Sequence, residues 1–529
     1  MYLWIFFVPR GRPRPKVKKP FYAEDLPNCV QYLIVGGGAA SWAAYLNIAQ
    51  LHEQAKVFII TLEDIPPYAK PPLSKAMWWN KDPPNISTLK YVDDSAVKTM
   101  YFTDCKNYVS PVKFARMKTG PAVSLATGWW VTRVDPEEHC VYLDSVNGEV
   151  PMYYERCLLA PGARPKKLGV FERASKPIRK KVSYMSCVRD LEIAYRKVQE
   201  AKHVTIVGGG ILGTELAWTL AKRNQKILNI DPEEEVPELT QVIKDGGLMP
   251  AILPEYLGAW AANKIRVEGI NIIPKAQVYD VYMDEDERLN LILSNGQKII
   301  TDYVLVAIGV EPRVEIALRS DLEVDEDNGG GIVVNGELEA RKHLFVAGDA
   351  ANIYTTWKNT RTRFDHFPNA FETGMLAGAN MTGEWTPSAS ESHFHYTLGK
   401  IIDMEVRVIG EVGACMPTVG IFRECDDKEE DENEYDGLKK IQEYVCRVPA
   451  HPCRNLYKRG MLFYIRDDVV VGVTFWNIPP FEDRTRAMLR ARPTVSEINM
   501  LAELVGFSDT QCVYKKTAAE LPKPLCFEE

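Results

Sequence analysis

The chain has 529 residues, 46% apolar and 26% charged, with a net charge of −7; it is too long for one ordinary domain and reads as about three globular units. The negative balance argues against a protein built around nucleic acid, and no apolar stretch approaches the roughly 18 residues of a membrane span. Eleven scattered cysteines include no C-x-x-C pair, and the spacing of Cys446 and Cys453 fits neither a zinc finger nor a tight redox loop. The sequence therefore predicts reduced thiols, no disulfide framework and no metal site.

From the N-terminus, residues 1–27 form an apolar start followed by Arg10, Arg12, Arg14, Lys16, Lys18 and Lys19 among prolines. A targeting signal and a disordered basic leader both fit, because the composition suits a transit peptide and the prolines do not. The β-branched run Val30–Val35 then enters Gly36-Gly37-Gly38-Ala39-Ala40-Ser41 and a helical pattern from Trp42. This is a dinucleotide turn in its required setting. Gly36 allows the sharp turn, and Gly38 lets a diphosphate approach the backbone. The N–H groups at Ala39 and Ala40 begin the helix that faces it. Ser41, small enough for helix–strand packing, takes the third position. A second strand, Lys56–Thr61, ends near Glu63 and Asp64, where an acid grips a ribose hydroxyl.

A complete G-x-G-x-x-G follows the strand His203–Val207, at Gly208, Gly210 and Gly213, with Ile211 and Leu212 between. The pattern next predicts a helix through Leu220, a strand over Lys226–Ile230, and a ribose acid at Asp231 with Glu233 just beyond. A long loop, Glu234 to Pro250, comes after it. Acids at that point favour NAD over NADP, since a 2′-phosphate beside them is repelled. Two such turns mean two dinucleotides. Short apolar strands at Cys157–Gly162 and Tyr303–Gly309 complete the sheets. Leu344–Val346 runs into Ala347-Gly348-Asp349, where a carboxylate can reach flavin ribityl hydroxyls or cap a helix.

This order of elements resembles the two-dinucleotide pyridine-nucleotide disulfide reductase superfamily, and within it the apoptosis-inducing factor family. The closer resemblance rests on Pro71-Pro72-Leu73-Ser74-Lys75, Ile252–Leu257, Leu376–Gly383 and Val470–Asn477, and covers roughly residues 30–515. It implies an α/β protein with two Rossmann-like domains and an α+β C-terminal domain. The FAD domain takes residues 28–162 and 311–391, the NAD domain 163–310, and the C-terminal, dimerisation-type domain 392–529. By position the resemblance assigns FAD contacts to Lys70, Lys75 and Val131, an ion pair beside the flavin to Lys75 and Glu215, and nicotinamide-dinucleotide positions to Glu233, Gly309, Asp365, His366, Glu405 and Asn477. A lysine at the flavin edge stabilises the charge that develops on reduction, and a buried lysine calls for a partner such as Glu215.

Four departures from the family pattern fall near the chemistry. Ile211 replaces a phenylalanine, His395 a tryptophan, Phe367 a second histidine and Ser183 an arginine. Lost stacking is worth roughly 0.5–1.5 kcal/mol per aromatic pair, so the sequence predicts a looser flavin–nicotinamide complex. The acidic run at about 425–437 stands where the family carries a regulatory insertion, and reads by itself as a solvated loop.

The resemblance implies hydride transfer from NADH to FAD and then to oxygen, a quinone or another acceptor, with slow turnover. It also implies a mitochondrial, intermembrane-space location with nuclear transfer on apoptosis, and a role in mitochondrial maintenance and caspase-independent apoptosis. A redox-dependent homodimer, an import partner and weak non-specific DNA binding complete what it implies. Two alternatives stay open: a redox-controlled binding protein with negligible turnover, and a ferredoxin or monodehydroascorbate reductase.

Overall fold

The computed structural model describes residues 22–79, 83–93, 96–327, 329–355, 359–387, 404–423, 459–478, 482–498, 501 and 512–516. His395 and the acidic run at 425–437 lie outside them. The chain opens with β1 (Cys29–Val35), α1 (Ala39–Leu51) and β2 (Lys56–Thr61), and adds β3 (Ala122–Thr127) and β4 (Gly148–Leu159). It then builds a second unit from β5 (Val182–Tyr184), α2 (Val188–Glu200), β6 (His203–Val207), α3 (Ile211–Ile230), β7 (Glu238–Val242), α4 (Glu255–Val267), β8 (Ile270–Ile273) and β9 (Tyr303–Val306). The return to the first sheet is made by β10 (Glu339–Arg341), β11 (Leu344–Val346) and α5 (Phe367–Thr382).

The first sheet runs β10-β11-β4-β1-β2-β3. Along this path all pairs are parallel except β10 with β11; the strands Val131–Asp135 and Cys140–Ser145 extend the same sheet from β4 and pair antiparallel. The second runs β5-β9-β6-β7-β8 and is parallel throughout. Because parallel sheets are covered on both faces, their strands read as continuous apolar runs; Leu33, Ile34, Phe58 and Ile59 are fully buried. A third sheet, entirely antiparallel, runs through β12 (Val406–Gly410), β13 (Thr418–Arg423), β14 (Arg459–Arg466), β15 (Val469–Trp476) and, after α6 (Glu482–Arg490), β16 (Cys512–Lys516), in the order β12-β15-β14-β13-β16. A helix follows four of these strands, and a strand returns after it.

One expectation is overturned. Lys226–Ile230 is no strand: α3 continues unbroken from Ile211 to Ile230 and stops only at Asp231-Pro232. The strand that pairs with β6 is Glu238–Val242, inside the stretch expected to be loop. The C-terminal sheet packs on the second unit. Tyr464 donates from its hydroxyl to the Ile252 carbonyl at 2.7 Å, Ala414 N–H reaches the Pro250 carbonyl at 2.9 Å, and Trp260 meets Trp476 edge-on. Ile252 and Leu253 are buried in that joint, which gives the Ile252–Leu257 string a packing reason.

Candidate functional site

At the first turn Gly36 has φ +138°, and a Cβ there would overlap the Ala160 carbonyl oxygen; only glycine fits. Gly38, the residue before α1, has no heavy atom within 4 Å of where its Cβ would stand. That open ground lies against the unpaired N–H groups of Ala39 and Ala40, which suits a diphosphate. Ser41 is fully buried and its Oγ has no partner. α5 crosses α1 at backbone distance, because Cβ atoms on Gly374 and Gly378 would strike the Ala40 and Ala44 carbonyls. Gly378 gives the Leu376–Gly383 string a packing reason.

Beyond β2, the carboxylate of Glu63 accepts a hydrogen bond from the Tyr68 hydroxyl at 2.7 Å and lies 3.9 Å from Lys70 Nζ. Asp64 points elsewhere, to Arg189 at the start of α2, 2.6 Å away. Val131 is buried and paired with Leu143. Asp349 follows Gly348, whose φ is +73°. Burial, with Asp365 adding to it, pushes the Asp349 carboxyl up to about 6, against the pull of Lys70 and Arg363. Arg363 donates to the Asp349 carbonyl at 3.3 Å and sits 3.8 Å from Asp365. His366 precedes α5, with Nε2 3.9 Å from Asp365. Burial pushes it down to about 4 despite Asp365, so it is neutral near pH 7. Phe367 is 37% exposed and stacks on Phe371. The structure thus gathers Lys70, Asp349, Asp365 and His366 around the return of the first sheet.

At the second turn Gly208 has φ +129°, with its Cβ direction filled by the Ala307 carbonyl, and Gly213 packs on the Gly208 carbonyl. Gly210 again faces open space. Ile211 and Leu212 start α3, half-buried against the core of the second unit. Gly309, φ +98°, ends the neighbouring crossover and accepts a bond from Lys166 N–H at 2.9 Å. Between the two cradles Lys75 Nζ meets Glu215 at 2.7 Å; the lysine side chain is 26% exposed and the glutamate 4%. Ser74 donates to the other Glu215 oxygen at 2.5 Å.

Asp231 and Glu233 are not at a strand end. Asp231 closes α3, about 30 Å from Gly210 at 1.5 Å per residue, and is exposed with the Glu233 N–H bonded to its own carboxylate. The acid beyond the true strand is Asp245, exposed, three residues past Val242, whose carbonyl takes the Gly208 N–H at 2.9 Å. Asp245 and Gln241 escaped the sequence reading. Gln241 is fully buried and donates from Nε2 to the Gly208 carbonyl at 2.9 Å, bracing the turn. The one available signal was the Gly246-Gly247 pair directly after Asp245. Ser183, at the departing arginine position, accepts a bond from the Tyr303 hydroxyl at 2.5 Å. Glu405 and Asn477 come together where β12 meets β15: Glu405 N–H bonds Asn477 Oδ1 at 2.5 Å, and Asn477 N–H returns to the Glu405 carbonyl. Among the described residues no His/Cys/Asp/Glu cluster could hold a metal, and no helix is long and apolar enough to cross a membrane.

The pyridine nucleotide-disulphide oxidoreductase family profile matches residues 30–374. A profile for the mitochondrion-associated C-terminal region of apoptosis-inducing factor matches residues 377–491. A Drosophila melanogaster relative, a putative mitochondrial apoptosis-inducing factor 1, is 32% identical over 92% of this chain and 66% of its own length, just under two thirds. The mitochondrial apoptosis-inducing factor 1 of Dictyostelium discoideum is 28% identical over 90% of this chain and 82% of its own. In fold, the chain is similar to putidaredoxin reductase in its covalent complex with putidaredoxin, with a TM-score of 0.66 at 20% identity over 89% of this chain and 95% of that one.

Proposed function

The chain belongs to the pyridine nucleotide-disulphide oxidoreductase family and is an FAD- and NAD(H)-dependent oxidoreductase; on that premise we propose that the first cradle holds FAD, the second NADH, and Lys75 with Glu215 joins them. The observation that carries this reading is the 2.7 Å ion pair between the units: α3 begins at the second cradle, and its buried Glu215 meets a lysine from the loop after β2. When bound, FAD supplies a ring that takes hydride from NADH and passes electrons on.

The chain's own part is to bind, orient and screen. Gly36, Gly38 and the α1 N-terminus hold the FAD diphosphate, Glu63 its adenosine ribose, Val131 its adenine and Asp349 its ribityl chain, with Lys70 and His366 alongside. Gly208, Gly210 and Gly213 hold the second diphosphate. Asp245, not Asp231 or Glu233, grips the adenosine ribose of the nicotinamide dinucleotide, and Gly309, Asp365, Glu405 and Asn477 complete that cofactor's site. Lys75 places a cation, held by Glu215, where charge develops on the ring. We propose a mitochondrial setting and, as in the relatives' names, a part in apoptosis. The acceptor is then oxygen, a quinone or a protein carrier, and the mature state a redox-dependent homodimer.

A second reading, a redox-set binding protein with negligible turnover, is favoured by Ile211, which supplies no aromatic ring at the start of α3. Anaerobic NADH titration of the purified yellow protein, followed by oxygen readmission, tests both. Stoichiometric bleaching with rapid multiple turnover supports the enzyme. One stoichiometric reduction without turnover supports the second reading, and no bleaching refutes the site.

A further inference from the structure

The two acids after β2 both look toward the second unit. Tyr68, 1% exposed, donates to Glu63 at 2.7 Å and accepts the N–H of Val188, the first residue of α2, at 3.3 Å. One residue further along each segment, Asp64 binds Arg189 at 2.6 Å. Burial and the Glu63 charge hold the phenol far above its ordinary range, so Tyr68 keeps its proton and donates at every working pH. Cys187, the residue before α2, is half-buried in the same joint, its thiol pushed up to about 12 mainly by burial.

We propose that Tyr68, supported by Arg189, is a positioning residue for the flavin nucleotide: it fixes Glu63 while accepting the Val188 N–H of the second unit, so that FAD binding and the docking of α2 on the first unit are one coupled event. This rests on Glu63 as the ribose acid. A carboxylate held in one rotamer by a buried hydroxyl grips a ribose at less entropic cost than a free one. By linkage, FAD then tightens the joint as much as the joint tightens FAD.

The experiment measures FAD affinity of the apoprotein by flavin fluorescence in the wild type, Tyr68→Phe, Arg189→Met, Glu63→Gln and the Glu63→Gln/Tyr68→Phe double variant. Alkylation of Cys187, mapped by mass spectrometry, is followed with and without FAD. Tyr68→Phe keeps the buried ring and should weaken FAD about tenfold, the worth of one hydrogen bond to a charged group. The double variant should bind no more than about twofold worse than Glu63→Gln alone, since the two share one interaction. Cys187 should label faster without FAD, and faster again in Tyr68→Phe and Arg189→Met. Wild-type affinity in Tyr68→Phe with loss in Glu63→Gln overturns the proposal while sparing the ribose assignment. Unchanged FAD affinity in Glu63→Gln overturns the assignment itself. Additive losses, or Cys187 labelling indifferent to FAD, overturn the coupling.

Discussion

Lys75 and Glu215 are exposed to different degrees, and that difference makes a quantitative prediction. Glu215 is 3% exposed, and its carboxylate meets Lys75 and Ser74. Lys75→Met takes the balancing cation away from a carboxylate in the interior. Breaking a buried pair from one side costs about 3–5 kcal/mol; the remaining Ser74 bond puts this case near 3, about a 150-fold shift in a local equilibrium. Glu215→Gln is milder. The lysine side chain is 26% exposed and keeps water, and the amide can still accept from Ser74, so the loss is about 1 kcal/mol. Native-state hydrogen exchange at the α3 amides reads the local opening free energy. Exchange there should rise about a hundredfold in Lys75→Met and less than tenfold in Glu215→Gln. Reduction by NADH should slow by roughly a hundredfold or more in Lys75→Met, the usual effect of removing one group that faces developing charge. Equal exchange in the two variants, or a larger effect from Glu215→Gln, would refute the argument from burial.

Asp245→Ala should lower kcat/KM for NADH about tenfold and narrow the preference over NADPH, whereas Asp231→Ala with Glu233→Ala should leave both within about twofold; steady-state kinetics with the two nucleotides decides. Ile211→Phe should slow oxidation of the NADH-reduced protein in air by a few-fold, from stacking worth roughly 0.5–1.5 kcal/mol, as stopped-flow absorbance will show. Gly378→Ala, whose Cβ would lie 2.6 Å from the Ala44 carbonyl oxygen, should part α1 from α5, cost about 1–3 kcal/mol and reduce the FAD content of the purified protein. In the apoprotein Asp349, raised from 3.8 to about 6, binds more protons folded than unfolded, so its contribution falls as pH rises through that window. His366, lowered from 6.5 to about 4, binds fewer, so its contribution rises. Melting temperatures between pH 4 and 6.5 should therefore tilt upward with pH in Asp349→Asn and downward in His366→Asn, relative to wild type.

What the sequence disclosed was what sits close together along the chain. The first strand–turn–helix was legible because Val30–Val35, Gly36 and Gly38 act within a dozen residues, and the same holds for His203–Val207 with Gly208, Gly210 and Gly213. The end of α3 was misread for a physical reason. Lys226-Ile227-Leu228-Asn229-Ile230 has a strand-like composition, but nothing stops the helix before Pro232, which ends it by removing a donor. The true strand was hidden because β7 is polar in sequence: Thr240 and Gln241 interrupt it, and Gln241 is buried only because its amide is bonded to the Gly208 carbonyl. A pattern reader expects an apolar residue there. Asp64 with Arg189 and Tyr68 with Val188 span more than a hundred residues, so no local pattern carries them.

The arrangement of α3 also shows what sets the distance between the two cradles. The paired strands Ala163–Pro165 and Val310–Pro312 join the units covalently, yet a two-stranded link does not fix an angle. Glu215, Thr219 and Arg223 stand four residues apart, on one face of α3. Glu215 takes Lys75 and Ser74 Oγ, Thr219 donates to the Ser74 carbonyl at 3.0 Å, and Arg223 lies 5.4 Å over the ring of Tyr195, itself stacked on Trp78. The loop from Ser74 to Trp78 belongs to the first unit, so one helix face holds it directly through Glu215 and Thr219, one turn apart, and through Tyr195 of α2 beneath Arg223, while the same helix begins just after Gly210. Moving one cradle against the other would break these contacts together. Since orientation is the main thing a protein adds to hydride transfer between two bound dinucleotides, the face of α3 rather than the hinge strands holds the geometry on which the rate depends.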